Sequence, residues 1–183
     1  MFELLLPFFL LFSLLLALSI VWRINARKYI SSSTVVSAYD AWTQDKLLER
    51  LWGEHIHLGF YPSGKKNIDF RKAKVQFVHE LVKWSGLDKL PKGSRVLDVG
   101  CGIGGSSRIL AKYYGFNVTG ITISPAQVKR ARELTPLEIN CNFEVMDALD
   151  LKFEDGSFDA VWSVEASTAV SIMVEVLEKS VLF

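Results

Sequence analysis

Cysteine is scarce in this sequence. Cys101 and Cys141 are the only two in 183 residues, and their spacing fits neither a disulfide framework nor a thiolate metal site. Both are expected as small buried fillers. An excess of positive charge is also missing: 21 Lys and Arg stand against 20 Asp and Glu, with no basic stripe interleaved with aromatics. Nucleic-acid binding therefore has no electrostatic support. Histidine numbers three. His79 falls on an amphipathic helix, which leaves His55 and His57 without the third and fourth ligands a metal would need. No internal repeat is present. Charge is absent altogether from Leu4 to Trp22, "LLLPFFLLFSLLLALSIVW". At about 1.5 Å per helical residue that run reaches roughly 28 Å, close to the hydrocarbon thickness of a bilayer.

A cleaved secretory signal would carry basic residues before the apolar run and a small-x-small site after it. Glu3 precedes this one, and no such site precedes Arg23. A retained single-pass anchor through residues 4–22 is the expectation, with the lipid bilayer as its partner. Arg23, Arg27 and Lys28 follow the run, so the positive-inside rule places the remainder on the cytoplasmic or stromal side of the membrane. The sequence then divides into an anchor with its basic flank (1–30), a linker, lid and amphipathic helix (31–94), a cofactor-binding half-domain (95–166) and an atypical tail (167–183). Nothing in it indicates an oligomeric state.

Beyond the Ser-rich juncture "YISSSTVVSAYDAW", residues 37–50 are predicted helical. "LWGEHIHLGFYPSG" reads as an extended aromatic segment ending in a turn. Phe70, Ala73, Phe77, Leu81 and Trp84 recur at helical spacing between Asp69 and Leu87, and Gly86 and Pro91 end that helix. A strand–helix alternation follows. Strands are predicted at 95–100, 117–123, 142–147 and 160–166, with helices at 106–114, closed by Gly115, and from Ser124 to about Leu134. Ser124, Pro125 and Gln127 read as N-cap, N1 and reciprocal capping-box partner. The pattern predicts an α/β fold, a Rossmann-like doubly wound parallel sheet of which the first four strands are present.

"VLDVGCGIGGSSRIL" at 96–110 places Gly100, Gly102 and Gly105 in the G-x-G-x-x-G spacing of dinucleotide-binding loops. Two features oppose a nicotinamide cofactor. The second strand ends in Thr122-Ile123-Ser124, with no carboxylate for the ribose hydroxyls. Asp98 stands two residues before the first glycine, where a negative charge repels a pyrophosphate but suits a ligand bearing an ammonium and a sulfonium. A P-loop is excluded because no Gly-Lys-Ser/Thr follows.

With these motifs, "GITISPAQ" at 120–127, "VMDALDLKFEDGSFDAVWS" at 145–163, and "AYDAW" and "WGEHIHLG" upstream, the chain resembles the class I S-adenosylmethionine-dependent methyltransferases. More narrowly, it looks like the cyanobacterial-type 2-methyl-6-phytyl-benzoquinol methyltransferases, relatives of γ-tocopherol methyltransferase. The resemblance runs from the apolar segment to about Ala166. It implies that Gly100, Gly102 and Gly104 line the methionine end of S-adenosyl-L-methionine and that Asp98 steers its amino group. Thr122 and Gln127 would stand at the ribose and Asp147 at the adenine amino group. Tyr39 and Trp52 would form part of a lid. Gln127 as a plain helix cap, and Tyr39 and Trp52 as plain packing, remain open alternatives.

Methylation of a ring carbon needs positioning, exclusion of water and a base that ionises a ring hydroxyl. His55 and His57, two apart on one face of an extended segment, and Glu165 at the end of the fourth strand are the candidate catalytic residues, with Glu54 available to orient a histidine. Structural hydrogen bonding is the competing reading of the histidines. The implied acceptor is a lipophilic, prenylated or phytylated quinol. After "SVEAS" the sequence departs from the family's pattern, so the expected outcomes are either a methyltransferase truncated here, as a fragment or frameshifted product, or a membrane-tethered remnant limited to cofactor binding.

Overall fold

The computed structural model describes residues 32–64 and 67–166. The apolar run at 4–22 and the tail 167–183 lie outside the described residues. Among the described residues no helix is long and apolar enough to cross a membrane. The chain divides into two compact units, Met1–Val35 and Val36–Phe183, and the sheet belongs to the second.

Helix α1 (Ser32–Gln44) and the short helix α2 (Leu47–Trp52) replace the single helix expected over 37–50. The break has a local cause. The Asp45 carboxylate captures the Leu47 amide at 2.7 Å, and Lys46 turns into the left-handed region at φ 55°. Such side-chain capture of a nearby amide competes with helix continuation. Helix α3 (Phe70–Ser85) starts where Asp69 accepts from the Lys72 amide and ends at Gly86 in a left-handed cap.

Strands β1 (Arg95–Val99), β2 (Asn117–Thr122), β3 (Cys141–Val145) and β4 (Ala160–Trp162) form one sheet in the order β3-β2-β1-β4, with every pairing parallel. Helix α4 (Gly105–Tyr114) joins β1 to β2, and helix α5 (Pro125–Leu134) follows β2. β1 is one of the two interior strands and is buried on both faces. Its Val96 packs with Val78 and Val82 of α3 and with Ile109 and Leu110 of α4, whereas Leu97 and Val99 pack with Ile121 and Phe158 on the opposite face. That is the two-sided burial typical of parallel sheets. At α5, Val128 and Ala131 close over Phe143 and Cys101. Cys101 is buried and Cys141 half-buried, both as free thiols, and burial pushes the Cys141 thiol up to about 12.

The doubly wound expectation is met on one face among the described residues. α3, α4 and α5 contribute to the clusters on the side of Val96 and Phe143. Because β4 lies on the far side of β1, the connection from β3 must return across the other face. Here that connection carries no helix: Met146, Ala148, Leu151, Phe153 and Phe158 cover Leu97, Val99 and Ile121.

The fourth strand, expected over 160–166, stops at Trp162, which is level with Asp98 of β1. Beyond that level β1 turns at Gly100, φ 74°, and the chain after β4 stays beside it without ladder pairing: the Ser163 hydroxyl donates to the Val99 carbonyl at 3.2 Å, and an added Cβ on Gly100 would meet Ala166. The third strand is likewise shorter at its end than the expected 142–147, closing at Val145.

Candidate functional site

All four strands run the same way, so the loops after Val99, Thr122, Val145 and Trp162 gather at one end of the sheet. The order reverses between β1 and β4, and the crevice outside such a switch point is where open α/β sheets take ligands. The loop after β1 is built on its own backbone. Gly100 and Cys101 donate their amides to the Ile121 carbonyl at 2.9 and 3.0 Å, and the Gly104 amide reaches the Cys101 carbonyl at 2.9 Å. Gly104 requires glycine twice over: φ is +80°, and a Cβ would sit 2.6 Å from the Phe143 ring. Gly102, at φ +56°, faces open space, as a backbone approached by a ligand would.

Asp98 is 2 % exposed, and among the described residues its one side-chain partner is the Ser107 hydroxyl, which donates at 2.5 Å. Burial pushes its carboxyl up to about 6, against the opposing pull of that hydrogen bond. A buried carboxylate without a cation is costly, and here it stands at the root of the glycine loop.

Thr122 and Gln127 are both buried and bonded to each other, Thr122 Oγ1 donating to Gln127 Oε1 at 2.7 Å. The capping box expected at this helix is therefore half made. Ser124 accepts the Gln127 amide at 3.1 Å, but the Gln127 side chain turns to Thr122 instead of to the Ser124 backbone. Sequence reasoning also found no carboxylate at the end of β2. The structure brings one there from α1: Asp40 accepts from the Ser124 hydroxyl at 2.5 Å and from the Ala126 amide at 3.2 Å. The local absence of an acid thus ceases to argue against a dinucleotide, and Asp98 alone carries that discrimination.

Tyr39 stands edge-on to Trp42, 5.6 Å between ring centroids, and lines a small cavity with Ile56, Ile103 and Gln127. Asp147, exposed two residues past β3, accepts from the Leu149 amide at 3.0 Å. Trp52, at the end of α2, is roughly half exposed, with the Lys74 ammonium 5.8 Å from its ring centroid.

His55 and His57 come together as expected for an extended segment, and further. His57 Nδ1 lies 2.7 Å from the Leu58 carbonyl, and His57 Nε2 lies 3.1 Å from His55 Nδ1. A carbonyl only accepts, so His57 carries its proton on Nδ1, and neutral His57 Nε2 must accept from His55 Nδ1. The His55 ring abuts Gly105, where an added Cβ would meet it at 2.8 Å. Glu54 does not orient either ring; its carboxylate pairs with Arg108 at 2.7 Å. Glu165, in the left-handed region at φ 53°, accepts from the Leu58 amide at 3.1 Å, which brings it beside the histidine pair.

These long-range partners make residues 40–60 a strap over the glycine loop. Glu49 grips Arg130 through both carboxylate oxygens at 2.6 and 2.8 Å. Buried Lys74 donates to the His55 carbonyl at 2.7 Å, and the Phe60 amide donates to the Ala73 carbonyl at 2.9 Å. Glu49, Arg130 and Lys74 were not singled out from the sequence, where each reads as an ordinary surface charge.

Burial, reinforced by His57 and Arg108, holds the His55 imidazole down at about 4. Between pH 6.5 and 4 the unfolded chain takes up a proton that folded His55 refuses, so this group removes stability as pH falls, on the order of 3 kcal/mol in all. Asp98 acts oppositely: folded, it holds a proton between about pH 6 and 4 that the unfolded chain has released, and so adds stability on acidification. His55→Asn is accordingly expected to unmask Asp98. Its urea midpoint, followed from pH 7 to 4.5, should fall less than that of the unaltered chain or rise, and an unchanged slope would contradict the burial of His55.

Comparisons with known proteins point one way. Residues 96–180 match the family model described as a methyltransferase domain. The 2-methyl-6-phytyl-1,4-hydroquinone methyltransferase of Synechocystis is 60 % identical over 157 residues, covering 85 % of this chain and 49 % of that protein. The chloroplastic tocopherol O-methyltransferase of Arabidopsis thaliana is 43 % identical over 130 residues, covering 66 % of this chain and 37 % of its own length. The chain thus spans half or less of the length of these curated relatives. Among solved structures, the [4+2]-cyclase SpnF superposes with a TM-score of 0.69 at 27 % identity, covering 80 % of this chain and 56 % of SpnF. A cyclase on this fold is a reminder that fold alone does not decide the reaction.

Proposed function

The chain belongs to the methyltransferase-domain family, and on that premise we propose that it holds S-adenosyl-L-methionine in the glycine loop and serves transfer of its methyl group to a ring carbon of a prenylated or phytylated benzoquinol. Asp98 is the observation that carries the cofactor. A buried carboxylate whose only described partner is a hydroxyl, at the root of a loop with open backbone at Gly102, suits an incoming cation. Gly100, Gly102 and Gly104 let the ligand approach the backbone, Gln127 and Thr122 serve the ribose side, and Asp147 lies on the strand end assigned to adenine. The likeness to the Synechocystis hydroquinone methyltransferase supports the acceptor class.

The cofactor supplies an electrophilic methyl on sulfonium. What the chain's residues do is position, exclude water and handle one proton. Held near 4, His55 is a poor base at neutral pH. The His55–His57 pair therefore orients the 54–58 segment and accepts a hydrogen bond, while Glu165, fixed by the Leu58 amide, is placed to take the ring-hydroxyl proton. In this reading residues 4–22 anchor the chain in a bilayer, with the remainder on the cytoplasmic or stromal side, next to the membrane where an acceptor with a lipid tail resides.

Two measurements on the full chain in lipid nanodiscs test this. Calorimetric titration with S-adenosylmethionine is expected to show saturable one-site binding, and labelled methyl transfer to 2-methyl-6-phytyl-benzoquinol is expected to follow. Binding without transfer would leave a tethered cofactor-binding remnant, and absence of binding would overturn the proposal.

A further inference from the structure

Strand β2 ends without an acid, yet an acid is delivered to its end from 84 positions earlier in the chain. Asp40 Oδ1 takes hydrogen bonds from the Ser124 hydroxyl and the Ala126 amide, in the first turn of α5. That turn carries unsatisfied amides and the positive end of the helix dipole, so a carboxylate is well placed there.

The consequence runs along a chain of hydrogen bonds. Ser124, fully buried, spends its proton on Asp40 and is thereby set to accept the Gln127 amide at 3.1 Å. Thr122 Oγ1 accepts from the Ser124 amide at 3.3 Å and donates to Gln127 Oε1 at 2.7 Å. With its oxygen consumed, Gln127 keeps its Nε2 donors unpaired among the described residues, at the wall of the cavity it shares with Tyr39 and Ile103. Tyr39 is the neighbour of Asp40 on α1, so the contact that fixes Gln127 also seats the aromatic wall of the same cavity.

We propose that Asp40 is a positioning residue for the cofactor: carried by α1, it stands in for the acid β2 lacks, orients Gln127 as a donor to the ribose oxygens, and makes seating of α1 and occupancy of the cavity one coupled event. This rests on the cofactor reading above. Coupling of this kind is a shared free energy and acts in both directions.

The test uses the full chain in nanodiscs, with S-adenosylmethionine as the probe. Asp40→Ala is expected to weaken binding roughly tenfold, and Asp40→Asn, which keeps a carbonyl acceptor, roughly threefold or less. Gln127→Ala in the Asp40→Ala background should cost little more than Asp40→Ala alone, because the two act through one path. Additive losses, or an unchanged dissociation constant in Asp40→Ala beside a lowered melting temperature, would reduce Asp40 to a packing contact and overturn the proposal. Amide exchange separates this from the cofactor reading. In ligand-free protein, Asp40→Ala should release the amides of residues 36–44 while those of α3 stay protected, and unchanged protection overturns the latch even if no cofactor binds. In the unaltered chain, cofactor should deepen protection of the same amides.

Discussion

Asp98→Asn is expected to cost about a hundredfold in S-adenosylmethionine affinity, on the order of 3 kcal/mol, while leaving the ligand-free fold as stable as before or more so. The two effects share one cause. Asp98 is buried beneath the glycine loop with a single hydroxyl donor, and the rise of its carboxyl from 3.8 to about 6 means that ionising it in the folded chain costs about 3 kcal/mol. Asparagine keeps an acceptor for Ser107 and removes the charge, so at pH 7 to 8 the urea midpoint should hold or increase. The charge serves the ligand alone. It follows that affinity in the unaltered chain should rise with pH through about 6, as Asp98 gives up its proton, and level off above, whereas Asp98→Asn should show no such step. Calorimetry at pH 5, 6, 7 and 8 reads both. Equal affinities for the two proteins at pH 7.5 would remove Asp98 from the site.

The opposite pH behaviours of Asp98 and His55 come from one physical term. Desolvation disfavours whichever form is charged, so the carboxyl moves up and the imidazole down. Their windows overlap between about pH 4 and 6, and the ligand-free protein should show a shallower acid profile than either group alone would impose. A cationic ligand breaks this balance on the Asp98 side only.

How far the sequence could be read depended on how local the deciding interaction was. Asp69 before α3, Gly115 after α4 and the Ser124-Pro125 start of α5 are caps whose partners lie within four residues, and those boundaries emerge within a residue or so. The parallel order of β3, β2, β1 and β4 follows from alternation and connection rules. What pattern could not supply was decided at a distance. The Asp40–Ser124, Glu49–Arg130 and Glu54–Arg108 contacts span 84, 81 and 54 positions, and no spacing rule selects one surface carboxylate over another. Gln127 shows the limit most clearly: its position fits a capping box, but Thr122, brought near by the turn after β2, engages both the Gln127 side-chain oxygen and the Ser124 amide that the box would have joined. The strap over the loop was therefore legible as aromatic segment and helix, though its fastenings were not.

Gly104→Val is expected to damage both fold and function, lowering unfolding free energy by about 3 to 6 kcal/mol and abolishing measurable cofactor binding. Two separate costs combine. The residue sits at φ +80°, a conformation a β-branched side chain resists, and its Cβ would fall 2.6 Å from Phe143 Cζ and 2.8 Å from Arg108 Nη1. Neither neighbour can yield freely. Phe143 fills the space between β3 and α5 and also closes over Gly120, where an added Cβ would meet it at 2.8 Å, while Arg108 is held by the Ile103 carbonyl at 2.8 Å and by Glu54 at 2.7 Å. A double-mutant cycle separates the costs. Phe143→Leu alone should destabilise by about 1 to 2 kcal/mol through lost packing, but in the Gly104→Val background it should cost less or restore stability, because it opens room for the new side chain. The part that Phe143→Leu fails to restore measures the backbone strain and the Arg108 contact. Urea unfolding of the four proteins yields the coupling directly, and strictly additive values would show that Phe143 is not what demands glycine at this position.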